Sequence, residues 1–363
     1  MSRGKQMKKK KGTDIYEKKI TLGKDANGKS IRVSVYASSR AELEQKVFRV
    51  RQEHLQKTDT PTENITMVSY ARRWLEHDKA HTSINTKAMY TNVIEKHLEP
   101  AFNDLYFSEI TMADLQELIM KNIDHANTCS KIKLTLKQIY AAAYEEKLIF
   151  ELPNWKKLII PKVKPKEKRA LTEEEITAIL TANMPDEQKA FCKTMYYTGI
   201  RREEALALKR TDFDFKAGTV TVQRTLVFDK NDGILTDSMK TDYSYREIPL
   251  PKAYIDSTRE YIESHDLLFG MPTAPDKCMT QSSFTKFWAG IQRTLIPLAP
   301  SAETLTPYIF RHNYATMLYY SNVSLKAAAK LMGHKDTTMI MRIYAHLDAK
   351  KEGLHDKINA VFS

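Results

Sequence analysis

The sequence predicts a multidomain α+β protein: a small N-terminal β-sheet plus helix, an all-α middle, and a mainly α second half with a small antiparallel sheet. Three observations predict it. At 363 residues the chain exceeds one ordinary hydrophobic core. Its apolar pattern alternates near the N-terminus, turns helical after Ile65, and alternates again near residue 220 before closing on helices. Two polar stretches, 57–64 with Pro61 and 156–170 with Pro161 and Pro165, fall between these regimes and read as linkers. The predicted divisions are therefore 1–60, 61–155, a linker at 156–170, and 171–363.

Residues 1–12 carry Arg3, Lys5 and Lys8 to Lys11 without an acid, which reads as a disordered arm suited to phosphate contact or as a solubilising tail. "DIYEKKITL" and "SIRVSVYA" are β-prone runs around Asn27-Gly28, a strong hairpin turn signal. Ser39 and Glu42 make a capping box for a helix ending near Gln56. In the middle region Val68, Ala71, Trp74 and Leu75 share one helical face, and Tyr90, Val93, Ile94 and Leu98 another. Thr111 and Asp114 open a third helix bearing Leu115, Leu118 and Ile119; a fourth carries Ile132, Leu136, Ile139, Tyr140 and Ala143. The linker bears Lys156, Lys157, Lys162, Lys164, Lys166, Lys168 and Arg169 against Glu167 alone, so it is expected to run along a polyanion. Beyond it, Thr172 caps "EEEITAIL", "GTVTVQRTLVF" and "YREIPLP" supply the strands, and helices follow from Ser324.

A formal net charge of +12 and a pI near 9.3 favour nucleic acid as the partner, through phosphate neutralisation and counterion release. No apolar run reaches the length of a spanning helix and no signal-peptide core follows the basic start, so an intracellular protein without a membrane partner is expected. Cys129, Cys192 and Cys278 are odd in number and widely separated, which argues against a disulfide framework and a structural zinc. The absence of a Gly-x-x-x-x-Gly-Lys-Ser/Thr run argues against nucleotide chemistry.

One tyrosine stands in a suggestive place. "LMGHKDTTMIMRIYAH" sets His334 ten residues before Tyr344. Alone, a tyrosine in a Met/Ile-rich helix reads as packing, because a nucleophile is recognised by its partners. Candidate partners lie elsewhere: Arg201 and Glu204 in "TGIRREEALAL", Lys240 in "SMKTDYSYREIPLP", and Tyr308, Arg311 and His312 in "TPYIFRHNYAT". Two guanidinium forks suit the non-bridging oxygens of a phosphodiester under attack, staying charged at any physiological pH. A lysine with depressed pKa can protonate a departing 5′ hydroxyl.

Five motifs in this order resemble the tyrosine recombinase family, in particular phage-type and transposon-type integrases, over most of the chain. The resemblance implies an arm-binding N-terminal unit, a helical core-binding domain, a basic linker and a catalytic domain. It implies Tyr344 as nucleophile, Arg201 and Arg311 on the phosphate, Lys240 as the acid for the leaving group, and His334 as a hydrogen-bonding partner. Neither cofactor nor metal is implied, because a 3′-phosphotyrosine bond conserves the energy of the broken phosphodiester. Double-stranded DNA with core and arm sites, a homotetramer on that DNA, a host DNA-bending protein and an excisionase are the implied partners, in the cytoplasm and on the nucleoid of a bacterial host. One departure stands out: Tyr308 occupies the usual histidine position, and a phenol with pKa about 10 cannot take a proton near neutrality as imidazole does. Rate is what this departure touches; His312 is a candidate substitute, better read as structural. Glu204 is expected to pair with Arg202 or to orient the Arg201 loop. The apolar Leu354, Ile358, Val361 and Phe362 suit docking of the tail in cis or on a neighbour. A type IB topoisomerase, or a DNA-binding regulator with a decayed active site, remains the alternative.

Overall fold

The computed structural model describes residues 8–9, 15–24, 30–57, 65–161, 169–237 and 245–351. The chain forms a mixed α+β protein of two compact units, residues 1–80 with 90–162 and residues 81–89 with 163–363. Among the described residues no helix is long and apolar enough to cross a membrane.

In the first unit, β1 (Lys8–Lys9), β2 (Tyr16–Lys24) and β3 (Ser30–Ala37) form an antiparallel sheet in sequence order. Lys8 pairs with Glu17 and Lys9 with Tyr16, so part of the expected disordered arm is strand: an edge accepts two residues of even a basic run as backbone ladder. Tyr16 pairs with Ala37 and Lys24 with Ser30, as the hairpin signal predicts, although the turn itself lies outside the described residues. Helix α1 (Arg40–Lys57) covers one face, where Leu43 and Val47 meet Ile20, Val35 and Ala37. Its start is capped at two positions, with Ser39 Oγ accepting from the Glu42 amide (3.2 Å) and the Glu42 carboxylate accepting from the Ser38 amide (3.0 Å).

The helical part of this unit is built from α2 (Met67–His77), the end of α3 (Ile84–Val93, of which 84–89 count with the second unit), α4 (Glu99–Phe102), α5 (Met112–Met120) and α6 (Ala126–Glu145). A π-helical turn, Ile94–Leu98, joins α3 to α4 without a break. The predicted faces are the buried ones: Trp74 is 3% exposed, Leu98, Leu136 and Ile139 are fully covered. Thr111 and Asp114 close a reciprocal capping box on α5. A chain of edge-to-face rings, Tyr70 to Phe107 to Tyr140 to Trp155, spans this core at 5.1–5.6 Å.

The expected extended linker starts later than the sequence suggests. Leu158 is buried, its carbonyl accepts from Lys133 Nζ at 3.0 Å, and Gln116 exchanges two hydrogen bonds with the Ile159 backbone. One apolar residue inside a basic run suffices to draw that segment onto the helices. At the other end Arg169 is committed to Glu175 through both nitrogens of its fork (2.6 and 2.7 Å), which removes it from the cations open to a polyanion. Residues 162–168 lie outside the described ones.

The second unit opens with α7 (Glu173–Thr181), capped by Thr172 and Glu175, then α8 (Asp186–Thr198) and the single turn α9 (Arg202–Ala205). The alternating runs form two sheets instead of one. Strands β4 (Phe213–Asp214), β5 (Thr219–Val222) and β8 (Arg246–Pro249) make an antiparallel sheet with β5 central, while β6 (Thr225–Asp229) and β7 (Asp232–Thr236) make a separate hairpin. After α10 (Lys252–Glu263), a further pair, β9 (Gly270–Met271) and β10 (Ala274–Cys278), escaped the sequence pattern. Helices α11 (Gln281–Leu295), α12 (Pro307–Tyr320), α13 (Leu325–Met332) and α14 (Thr338–Lys351) complete it. Phe191 of α8 sits at the centre of the core, its ring edge-on to Phe269 (5.2 Å) and Phe287 (5.4 Å).

Helix α8 ends at Gly199 in the left-handed conformation (φ +60°), where an added Cβ would lie 2.3 Å from Cδ1 of Tyr314 on α12. Both the backbone and the ring demand glycine. Gly199→Ala is expected to lower stability by about 2–5 kcal/mol from the left-handed strain and the displaced ring together. The urea midpoint of the variant checks this; an unchanged midpoint refutes it.

Candidate active site

The tight stop at Gly199 sets the direction of the next residues. Ile200 is buried, and Arg201 takes extended backbone (φ −71°, ψ 152°) as the residue preceding α9. Glu204, one turn on, reaches back: its carboxylate accepts from the Arg201 amide at 2.8 Å and from Arg201 Nη1 at 2.7 Å. The acid thus caps the helix and aims the guanidinium. Arg201 keeps 37% of its side chain exposed, toward a cavity of about 570 Å³, whereas Glu204 keeps 3%. Tyr308 and Arg311 line the same cavity one turn apart on α12, as does His334 just past α13.

The end of α13 organises these cations. Its last carbonyls have no helical partner and carry the negative end of the helix dipole. Leu331 O accepts from Arg246 Nε at 2.7 Å, Met332 O from Arg311 Nη2, and Gly333 O from Arg201 Nη2 at 3.1 Å. Three consecutive carbonyls thereby hold three arginines that come from β8, α12 and the start of α9. Gly333 is left-handed (φ +63°), and a Cβ there would sit 2.8 Å from Arg246 Nη1, so the backbone lies flat on that guanidinium. This explains the glycine of the Gly-His pair.

Glu204 also accepts from Arg246, at 2.8 and 3.2 Å, and Arg246 keeps 1% of its side chain exposed. Burial alone would raise the Glu204 carboxyl, but the Arg246 charge and hydrogen bond, with Arg201, hold it down at about 2. Burial and the positive charge of Arg201 push Arg311 down to about 9, which still leaves it charged near neutrality. Arg311 Nη1 donates to Gly199 O at 2.9 Å. Burial, then the charges of Arg311, Arg201 and Arg246, push the His334 imidazole down to about 4. Its Nε2 lies 2.8 Å from Arg311 Nη2; guanidinium only donates, so Nε2 accepts and the ring proton belongs on Nδ1. A neutral histidine between two arginines follows.

The structure therefore brings Arg201, Tyr308, Arg311 and His334 together. Lys240 lies outside the described residues, as does the tail with Leu354, Ile358, Val361 and Phe362. Tyr344 is not on the cavity wall. Its hydroxyl donates to Val323 O at 3.3 Å, its ring meets Tyr319 edge-on at 5.0 Å, and it packs beside Ala315, Ala328 and Ile340. Burial raises its phenol above the ordinary tyrosine value. The expected Glu204–Arg202 pair is replaced: Arg202 pairs with Glu203 (2.5 Å) and lies over Phe284 (5.0 Å), because the Glu204 carboxylate points inward to two other arginines. His312 is buried on α12 and does not line the cavity. Arg246 escaped the sequence reading although the signal was present. On strand β8 it shares the inward face with Ile248, and a charge on that face needs a buried partner.

Because His334 is depressed in the folded chain, the unfolded state binds more protons between about pH 6.5 and about 4, and the stability held by the neutral ring is lost as pH falls through that window. His334→Gln is expected to flatten this part of the stability–pH curve, read as urea midpoints at pH 7.5, 6, 5 and 4.5. An equally steep fall in the variant would assign the titration to another group.

Comparison with known proteins follows the same lines. The Phage integrase family matches residues 169–351, just over half of the chain, and the phage integrase N-terminal SAM-like domain matches residues 66–122. A Tyrosine recombinase XerC-like protein of Caldanaerobacter subterraneus subsp. tengcongensis is 26% identical across 97% of this chain and 96% of its own length. The Tyrosine recombinase XerD of Vibrio cholerae is 25% identical across 78% of this chain and 92% of its own. Among solved structures, the Tn1549 transposon integrase in complex with a circular intermediate DNA has a TM-score of 0.67 at 18% identity, covering 81% of this chain and all of that one. A lambda integrase dimer bound to a COC′ core site has a TM-score of 0.59 at 17% identity, covering 92% and 93%. Sequence match, shared fold and the paired arginines agree: the chain belongs to the phage integrase family of tyrosine-type site-specific recombinases.

Proposed function

We propose that this recombinase cuts and rejoins DNA through a covalent link on Tyr344, integrating and excising a mobile element. The observation that carries this is the shared cavity in which Arg201 and Arg311 are held by Gly333 O and Met332 O with neutral His334 beside them. Preset donors of this kind stabilise charge that develops during reaction without reorganising at that moment. The Tyr344 oxygen bonds to the phosphorus as the bond to the 5′ oxygen breaks, and the phenol proton passes to solvent water. Arg201 and Arg311 grip the two non-bridging oxygens. Lys240 gives a proton to the departing 5′ oxygen, and, once Arg311 has turned to the phosphate and the ring proton has passed from Nδ1 to Nε2, His334 donates to a phosphoryl oxygen. Tyr308 stands where a proton acceptor would be useful and offers a hydroxyl instead. A second DNA 5′ hydroxyl then reverses the step.

For this, Tyr344 must release Val323 O and approach the cavity, so α14 has to move. Lambda integrase has been solved as a tetramer bound to a Holliday junction, and the present fold resembles it with a TM-score of 0.57 at 17% identity. On that likeness we place four copies on two duplexes, with the sheet of residues 1–60 on arm sites, residues 61–155 on core sites, and 171–363 doing the chemistry. A host bending protein and an excisionase fit the same scheme, in the cytoplasm on the nucleoid of a bacterium.

Trapping adducts on sheared DNA from cells that carry the gene tests the central step. Tyr344→Phe is expected to bind DNA as before and to form no SDS-stable adduct; an adduct in that variant, or none in the unaltered chain, overturns the proposal. Arg311→Ala is expected to slow adduct formation by about 10²–10³-fold. Tyr308→His, in the same single-turnover measurement, is expected to speed cleavage near neutrality. A slower Tyr308→His variant would show that the phenol is the better group in this cavity.

A further inference from the structure

The charges around the cavity are unevenly covered. Four guanidinium groups, on Arg201, Arg202, Arg246 and Arg311, face two carboxylates, on Glu203 and Glu204. The Arg202–Glu203 pair is closed on itself at the rim. The remaining groups leave two positive charges around neutral His334. A phosphodiester carries one negative charge, and its pentacovalent form under attack carries two. The described site is thus matched to the reacting phosphorus and exceeds the resting one.

Arg246 is what makes that match. It cannot touch DNA, being buried beneath Gly333 with 1% of its side chain exposed. Its fork takes both oxygens of Glu204, and its Nε takes Leu331 O. Glu204 meanwhile also accepts from Arg201 Nη1. Were Arg246 absent, the full charge of the buried Glu204 would fall on Arg201, which reaches it at 2.7 Å from the edge of the cavity. One of the two phosphate-gripping cations would then be cancelled from behind. The Leu331 carbonyl would also lose its donor, loosening the turn that carries Gly333 O and His334.

We propose that Arg246 is a positioning residue that neutralises Glu204, so that Arg201 delivers its charge to the scissile phosphate and not to its own carboxylate. The inference rests on the recombinase reading and goes beyond it in predicting a paired charge dependence between two residues out of reach of DNA. It also separates two duties of Arg246, because lysine keeps the charge and loses the fork.

The test uses the full chain and sheared DNA from gene-carrying cells, with adduct formation timed in single turnover and DNA affinity measured separately. Arg246→Gln is expected to slow adduct formation at least 20-fold with DNA affinity within twofold of the unaltered chain. Arg246→Lys is expected to recover part of the rate. The double variant Arg246→Gln with Glu204→Gln is expected to react at least fivefold faster than Arg246→Gln alone, because it removes the uncovered carboxylate along with its partner; a purely structural strut predicts the opposite, an additive loss. If Arg246→Gln does not fold, Arg246→Lys against its own double with Glu204→Gln carries the comparison, with the lysine variant expected to be faster than that double. A double variant no faster than Arg246→Gln, or Arg246→Gln at the full rate, overturns the inference. Failure of the unaltered chain to form any adduct sinks the recombinase reading first, and so distinguishes the two.

Discussion

Three guanidinium groups repel one another, and they can be packed together only where something negative faces them all. Here that is the last turn of α13, whose carbonyls at 331, 332 and 333 each take a different arginine, together with the Glu204 carboxylate. The rest of the catalytic unit serves this cluster. Strand β8 brings Arg246 from below, α12 brings Arg311, and the stop of α8 at Gly199 brings Arg201. Each contact lies within one unit; those of Arg311 to Met332 O and of Arg246 to Glu204 are buried, where water competes little for the donors, while Arg201 stays open to the cavity.

The same arrangement explains why the phenol and the cations are held apart. A tyrosine against two guanidinium groups would ionise more readily, whereas Tyr344 sits in a small apolar seat where burial raises its phenol and its hydroxyl donates a hydrogen bond to Val323 O. The seat is shared with α12, which also carries Arg311. One helix therefore touches Tyr344 through Tyr319 and the cavity through Arg311.

The +12 charge is a poorer guide to the DNA-facing surface than it first suggests. Arg169, Arg224 and Arg246 are all committed to buried carboxylates, at Glu175, Asp212 and Glu204. Such residues hold the fold, and counting them as phosphate contacts would overstate the binding surface. Arg169 shows the point sharply, because it closes a predicted polycationic run yet spends its fork on a helix cap.

Much of the fold could be read from residues in order, and four of the candidate site residues, Arg201, Tyr308, Arg311 and His334, meet on one cavity. Caps at Thr111 and Thr172, the buried faces of α2 and α6 and the N-terminal hairpin follow from residues close in sequence, and local spacing records local contacts. The ordered motifs around Arg201, Arg311, His334 and Tyr344 pointed to phosphate chemistry through their family resemblance, and the first three of these residues line one cavity. What the linear chain could not carry were partnerships across long separations: Arg246 with Glu204, Gly333 beneath a guanidinium, Leu158 drawn onto a helix, Tyr344 on Val323 O. Which carboxylate a buried arginine finds, and whether a nucleophile faces its cavity or turns from it, is set by the packing of elements that meet only after folding.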